Sequence, residues 1–136
     1  MNDKIVQFMR DNDKVAVWLN IKVLEARIGY SRISMVVRDD ILNAVNICQG
    51  GAIFSFADFA FALASNSHGK IAVGISANIN YSNPALLGEE LIAECSETGR
   101  SRKLGLYDVK IYKDENRKLV ALFTGQVYIK EDKFEV

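Results

Sequence analysis

One histidine, one proline, one tryptophan and two cysteines are all that 136 residues contain of these types. A lone imidazole, His68, cannot supply the paired histidines that many metal centres use, and Cys48 and Cys95 stand far apart without metal-ligand spacing. Two separated cysteines are expected to be reduced thiols of a cytoplasmic protein. Seventeen basic residues cancel seventeen acidic ones, so no positive excess points to nucleic acid or a membrane surface as partner. The N-terminal stretch has no long apolar signal core. The run from Ile41 to Asn66 is interrupted by Asn43, Asn46, Gln49, Gly50, Gly51 and Asp58, too often for a membrane span. Charge is scarcest between Asp40 and Lys70, where Asp58 is the only formally charged residue. A carboxylate in an apolar segment is costly to bury unless it is paired or hydrogen-bonded, and this singles out Asp58 for chemistry.

What is present is a globular composition, 49% hydrophobic and 25% charged, in a chain that fits one domain with a real core. Ile5, Phe8 and Met9 repeat at helical spacing behind a capping Asn2, and a second short turn after Asp13 puts Val15, Trp18 and Leu19 on one side. Residues 1–19 therefore read as an N-terminal helical segment. From Ile21 the period becomes two. A strand to Ile28, a turn at Gly29 and a strand from Tyr30 to Val37 follow, then a polar loop from Asp39 to Gln49. Gly50 to Ser67 is the one long helix candidate, rich in Ala and free of Val and Thr. Its apolar residues cover nearly the whole circumference, so it is expected to be surrounded by protein. Four strands complete the chain: Ile71 to Tyr81, Glu90 to Glu97, Leu104 to Tyr112 and Leu119 to Lys130, with turns at Thr98 to Lys103 and Lys113 to Asn116. This order predicts an α+β fold, an antiparallel sheet of about six strands wrapped around one central helix.

The order, with Gly50-Gly51 opening the helix and Asp58 inside it, resembles the hotdog-fold acyl-CoA thioesterases. It is most similar to the PaaI-like, phenylacetate-degradation branch. That branch shows Asn, then His-Gly-Gly six residues on, then Asp seven residues after the second Gly. Here the matching residues are Asn43, Gln49-Gly50-Gly51 and Asp58. Ala60 to Ser67, Tyr81 with Pro84-Ala85, Gly88-Glu89 with Leu91, and Gly99-Arg100 are also very like the branch, and the likeness spans Ile21 to Tyr128. The resemblance implies hydrolysis of an acyl-CoA, aryl-acetyl or medium-chain, to a carboxylate and free CoA. It implies no metal or redox cofactor, CoA being part of the substrate. The Gly50 N–H would polarise the thioester carbonyl, Asn43 would orient substrate or water, and Asp58 would be general base or nucleophile. Gln49 and Gly51 would border the substrate. Arg100, Ser101, Arg102 and Lys103, with Ser76 and Tyr81, would line the CoA groove. Two positions depart from the branch. Gln49 replaces the usual His, and Gly74 stands where some relatives carry Ser or Thr, with Ser76 expected on the same strand face as a partial substitute.

Spacing adds a constraint of its own. Gly50 and Asp58 are eight residues apart, about 12 Å along a helix at ~1.5 Å per residue, too far to meet at one carbonyl carbon. Two antiparallel copies across a two-fold axis would bring Gly50 of one beside Asp58 of the other. The family's homodimer with shared active sites agrees, and in the family such dimers often pair into tetramers. Other residues have plainer readings. His68 is expected to be a surface loop residue, Phe54, Phe56, Phe59 and Phe61 to be core, and Cys48 to be a buried packing residue. Taken alone, Arg100 to Lys103 is an exposed basic turn. The alternatives to hydrolysis are a non-catalytic acyl-CoA binder or sensor on the same fold, and a hotdog hydratase or dehydratase, whose usual Asp/His or Glu/His pair would have to draw on His68, alone in a distant turn.

Overall fold

The computed structural model describes residues 2–136. Two helices open the chain, and each begins on a side-chain cap. The Asn2 carboxamide oxygen accepts the Lys4 N–H at 2.9 Å ahead of α1 (Asp3–Asn12), and an Asp13 carboxylate oxygen accepts the Ala16 N–H at 3.0 Å ahead of α2 (Lys14–Trp18). Each oxygen satisfies an amide that the first helical turn leaves open. The hairpin β1 (Lys22–Arg27) and β2 (Tyr30–Val36) follows, turning at Gly29 with φ of +73°. After a 3₁₀ turn (Asp39–Ile41) and a loop come α3 (Gly50–Ser65), β3 (Lys70–Tyr81), β4 (Glu90–Arg100), β5 (Leu104–Lys113) and β6 (Leu119–Lys133). The six strands form one antiparallel sheet in the order β1-β2-β4-β5-β6-β3. This is the expected sheet around a central helix. No helix among the described residues is long and apolar enough to cross a membrane.

Two features differ from the sequence reading in ways that bear on the site. β4 continues past Glu97 because a register shift between Glu97 and Gly99 lets the chain keep pairing with β5. Gly99 and Arg100 are strand residues, and the turn is confined to residues 101–103. The second difference concerns α3, which packs on β2, β4 and β5 with Phe56, Ala57, Ala60, Leu63 and Ala64 fully buried. It is not enclosed on every side. Gly51 and Asp58 are exposed and Ser55 and Ala62 half-buried, and positions 51, 55, 58 and 62 fall on one face of a helix. Small and polar residues make that stripe, so leaving it open forfeits little apolar burial.

The helix is tied to the sheet by buried hydrogen bonds at its C-terminal half. Ser31 Oγ donates to the Ala60 carbonyl at 2.7 Å, and Ser67 Oγ donates to the Ala64 carbonyl at 2.6 Å while accepting the Gly29 N–H at 2.8 Å. Asn66 bridges helix and strand, Nδ2 donating to the Ala62 carbonyl and Oδ1 accepting the Ala72 N–H, both at 2.8 Å. Phe61 sets how closely the helix approaches. Its ring lies against Tyr107 and Phe123, with centroids 5.7 and 5.4 Å away. It also fills the space a side chain at Gly125 would take, since a Cβ there would stand 2.7 Å from Phe61 Cζ. Gly125→Ala should therefore destabilise the fold by about 1–3 kcal/mol through overpacking. Urea unfolding of Gly125→Ala, Phe61→Leu and the double variant should show the double variant losing less than the sum of the two singles.

Candidate active site

The entry to α3 is shaped by Asn43. Its Oδ1 accepts the Val45 and Ile47 N–H groups at 3.0 and 3.2 Å, and its own N–H donates to the Ile47 carbonyl at 2.8 Å. Two amide donors on Oδ1 fix the orientation of the carboxamide. Its Nδ2 has no acceptor among the described residues, so what Asn43 can offer a ligand is an N–H. The Gln49 N–H then bonds the Ile41 carbonyl and the Cys48 N–H the Ala85 carbonyl, each at 2.8 Å, and the chain enters the helix in register.

Gln49 occupies the cap position, but its side chain makes no capping bond. Its carbonyl accepts the Ala52 and Ile53 N–H groups at 3.0 and 3.2 Å. The Gly50 and Gly51 amides find no acceptor among the described residues. They stand at the positive end of the α3 dipole, a built electrostatic seat for a polarised carbonyl oxygen. Tyr81 closes over the same point. Its hydroxyl donates to the Gly50 carbonyl at 2.7 Å, and a Cβ on Gly50 would lie 3.0 Å from both Tyr81 Cζ and Oη. A side chain at 50 would thus crowd the hydroxyl end of the tyrosine.

Two clefts flank this helix start. One, of about 420 Å³, is lined by Asn43, Cys48, Gly50 and Tyr81 among others. The other, of about 320 Å³, is lined by Trp18, Gln49, Gly51 and Ser55 among others. Cys48 is buried, and burial pushes its thiol up to about 11. It stays protonated at neutral pH and serves as packing, as expected from the sequence.

Asp58 lies two turns further along α3, on its open stripe and exposed in the single chain. The reading that buried it inside the helix core is corrected by the stripe described above. The carboxyl is nonetheless raised from its ordinary value, first by the protein packed around its base and second by the charge of Asp13, the cap of α2.

The remaining residues lie elsewhere. Gly74 pairs with the buried Val127, and a Cβ there would come 3.2 Å from Phe61 Cε2, so the helix's phenylalanine accounts for the glycine. A bulge between Gly74 and Ser76 shifts the register, and Ser76 pairs with Gln126 on the opposite face of β3. Ser76 therefore does not share the face of Gly74, contrary to the sequence reading. Arg100 lies in the row Arg100–Gly105–Val127–Gly74. Seven residues of β3 separate that row from Tyr81, roughly 20 Å at ~3.3 Å per residue. Ser101 Oγ accepts the Leu104 N–H at 3.2 Å within the turn, and Arg102 is exposed. One chain thus brings together Asn43, Gln49, Gly50, Gly51 and Tyr81 at one end. Gly74, Arg100, Ser101 and Arg102 gather at the other, with Asp58 between.

His68 is not a free surface residue. Its Nε2 lies 2.8 Å from Glu97 Oε1, and the Tyr107 hydroxyl donates to the same oxygen at 2.6 Å. Burial alone would raise the Glu97 carboxyl, but the bonds from Tyr107 and His68 hold it below its ordinary value. The strand alternation could have located this cluster, because Glu97 continues the inward series Leu91, Ala93, Cys95, and an inward carboxylate needs partners.

The thioesterase superfamily model matches residues 46–120, more than half of the chain and the part that contains the helix start, Asp58 and the three strands β3, β4 and β5. The chain belongs to the thioesterase superfamily. It is thereby an enzyme of the thioester-hydrolase class. A presumptive esterase of Archaeoglobus fulgidus is 44% identical over 97% of this chain and 86% of its own length. The acyl-coenzyme A thioesterase PaaI of Escherichia coli is 36% identical over 87% of this chain and 84% of its own length. The solved Escherichia coli PaaI structure superposes with a TM-score of 0.91, covering 94% of this chain and 92% of that one at 33% identity. The hotdog fold is therefore established.

In this thioesterase the raised carboxyl of Asp58 makes its charged form a cost to folding. The sign follows from linkage: the folded chain holds the proton to higher pH than the unfolded chain, so stability falls as pH rises through the raised value. Asp58→Asn should raise Tm at pH 7, and the gain should shrink on acidification toward pH 3, where the wild-type carboxyl is protonated. Asp13→Asn, which keeps a competent helix cap, should give a smaller gain of the same sign. Thermal unfolding of the three proteins across that range checks both statements.

Proposed function

We propose that this chain is an acyl-CoA thioesterase, converting an acyl-CoA and water to a carboxylate and free CoA, at sites shared by two copies. The observation that carries the reading is the pair of unpartnered amides at Gly50 and Gly51, set about 12 Å along one helix from the only carboxylate in α3. The amides take the thioester oxygen, where negative charge gathers as the carbonyl carbon becomes tetrahedral. Asn43 supplies a further N–H to substrate or water. The partner subunit's Asp58 serves as general base or nucleophile, and its raised carboxyl favours the base role. Water's oxygen bonds to the carbonyl carbon as one of its protons passes to the carboxylate; the C–S bond then breaks, that proton passes on to the departing sulfur to release CoA as the thiol, and the product acid gives its remaining proton to solvent. The reading requires no resident cofactor.

The free edge of the sheet supports the two-copy site. β3 pairs only with β6, and from Ile71 to Tyr81 it carries no charged residue. Long, uncharged edge strands template pairing with another chain. Antiparallel pairing of two β3 edges would set the Tyr81 end of one beside the Gly74 end of the other. The partner's basic turn of Arg100, Ser101 and Arg102 would then stand near the helix start, where the arginine forks suit CoA phosphates. We take residues 1–136 as one hotdog domain with residues 1–19 as a helical segment, in a homodimer of the kind the branch pairs into tetramers. The relatives agree in chemistry. The Escherichia coli protein is an acyl-CoA thioesterase, and a Streptococcus mutans protein that superposes with a TM-score of 0.81 at 25% identity, covering 85% of this chain and 92% of that one, was solved bound to acetyl-CoA.

Steady-state hydrolysis of an acyl-CoA panel tests the reading. Asp58→Asn should lower kcat by about 10²–10⁴ with CoA binding retained. Tight binding without turnover by the wild type would establish the non-catalytic binder instead. Mixing Asp58→Asn with Asn43→Ala chains should restore one working site per heterodimer. Proven heterodimers without recovered activity would overturn the shared site.

A further inference from the structure

Tyr81 is the last residue of β3, in register with Ala121 of β6. The chain beyond it is pinned at once. The Ser82 and Asn83 N–H groups donate to the Val120 carbonyl at 2.8 and 3.3 Å, and Asn83 Nδ2 donates to the Leu119 carbonyl at 2.7 Å. Three hydrogen bonds thus steady the backbone that carries the ring, and the hydroxyl reaches the Gly50 carbonyl at 2.7 Å. Burial, and after it the neighbouring Cys48, raise the hydroxyl from its ordinary value. It stays protonated at neutral pH and keeps its hydrogen to donate.

The acceptor it meets is a particular one. The Gly50 carbonyl and the Gly51 N–H belong to a single planar peptide unit, and the Gly51 N–H is one of the two unpartnered amides at the helix start. Fixing the oxygen fixes the plane, and with it the direction of the N–H. A donor on the oxygen also draws electron density from the nitrogen, so that linked hydrogen bonds strengthen one another by about 10–30%. Resting on the thioesterase reading, we propose that Tyr81 is a positioning residue, acting on the thioester oxygen through the Gly50–Gly51 peptide. It aims the Gly51 N–H and strengthens it as negative charge gathers on that oxygen. The wall of a CoA groove needs the ring of a tyrosine; this role needs its hydroxyl.

The size of the effect follows from two magnitudes. One donor to the developing oxyanion is worth about 10²–10³ in rate, and strengthening it by about 10–30% amounts to about two- to eightfold. Tyr81→Phe keeps the ring and removes only the hydroxyl. It should lower kcat and kcat/KM alike, by about two- to eightfold, with the calorimetric affinity for free CoA unchanged. The amide nitrogen resonance of Gly51 should move upfield in Tyr81→Phe. It should move downfield when Tyr81 alone is replaced by a ring-fluorinated tyrosine, whose phenol is more acidic, and kcat should follow the same order. Unchanged kcat in Tyr81→Phe would overturn the assignment. So would weaker CoA binding in place of slower turnover, which would make the hydroxyl a groove contact. A Gly51 resonance indifferent to both replacements would remove the link through the peptide. If the wild type cleaves no acyl-CoA, the hydrolase reading fails by itself, and the Gly51 resonance still decides whether Tyr81 polarises that peptide.

Discussion

A rigid helix keeps its residues at fixed distances, and α3 carries both groups on which the proposed chemistry rests. Its first amides and its one carboxylate are separated by two turns of a helix clamped to the sheet through Ser31, Asn66, Ser67 and the ring of Phe61. No side-chain motion closes that gap, because the helix holding it is itself part of the core. Everything else in the molecule is consistent with that constraint. The donor-rich helix start sits at one end of the sheet, the basic turn at the other, and an unpaired strand runs between them along the edge.

The polar chemistry is concentrated in a segment otherwise stripped of charge. Asp58 keeps access to solvent on the open stripe while the mass of α3 and α2 around it, with Asp13 nearby, raises its carboxyl. Such a group is poised between ionised and protonated forms closer to neutrality than an ordinary aspartate. On β4, beside the chain just beyond the C-terminal end of α3, Glu97 sits inward with Tyr107 and His68 bonded to one of its oxygens, and it is held the other way. Two carboxylates are shifted in opposite directions by environment alone: one lacks donors among its neighbours, and the other has two.

Much of the architecture was legible in the sequence because it rests on periodicity. Alternation marked the strands, alanine-rich apolar crowding marked α3, and the Asn43, Gly50-Gly51 and Asp58 spacing marked the candidate site. What escaped was whatever depends on a single residue of phase. The bulge that turns Ser76 away from Gly74 lies among small residues whose pattern reads equally well on either face. The open stripe of α3 was hidden because Gly51, Ser55 and Ala62 break no apolar pattern. Val15 and Trp18 share a side with Leu19 by spacing, yet Leu19 is buried and the other two are exposed, since spacing alone cannot say whether a helix turns its apolar side to the core or to a cleft. The role of Asn43 was visible as a position but not as a polarity. Only the two amides on its oxygen reveal that it has N–H groups, and no oxygen, left to offer.

The bare edge of β3 has a consequence for the life of the chain before it meets a partner. An extended strand of 12 residues, with a charge only at its first position and its proline held back until after it ends, has little besides the bulge at Gly74 and Ser76 to guard it against sheet growth. A newly folded copy therefore exposes a surface that will take up almost any compatible strand. In the proposed homodimer the cover is another copy of the chain, and the faster that copy arrives, the less of the protein is lost to disordered assembly. Solubility and activity would then be guarded by one contact, and a substitution that weakened it would be felt as precipitation as soon as it was felt as lost turnover.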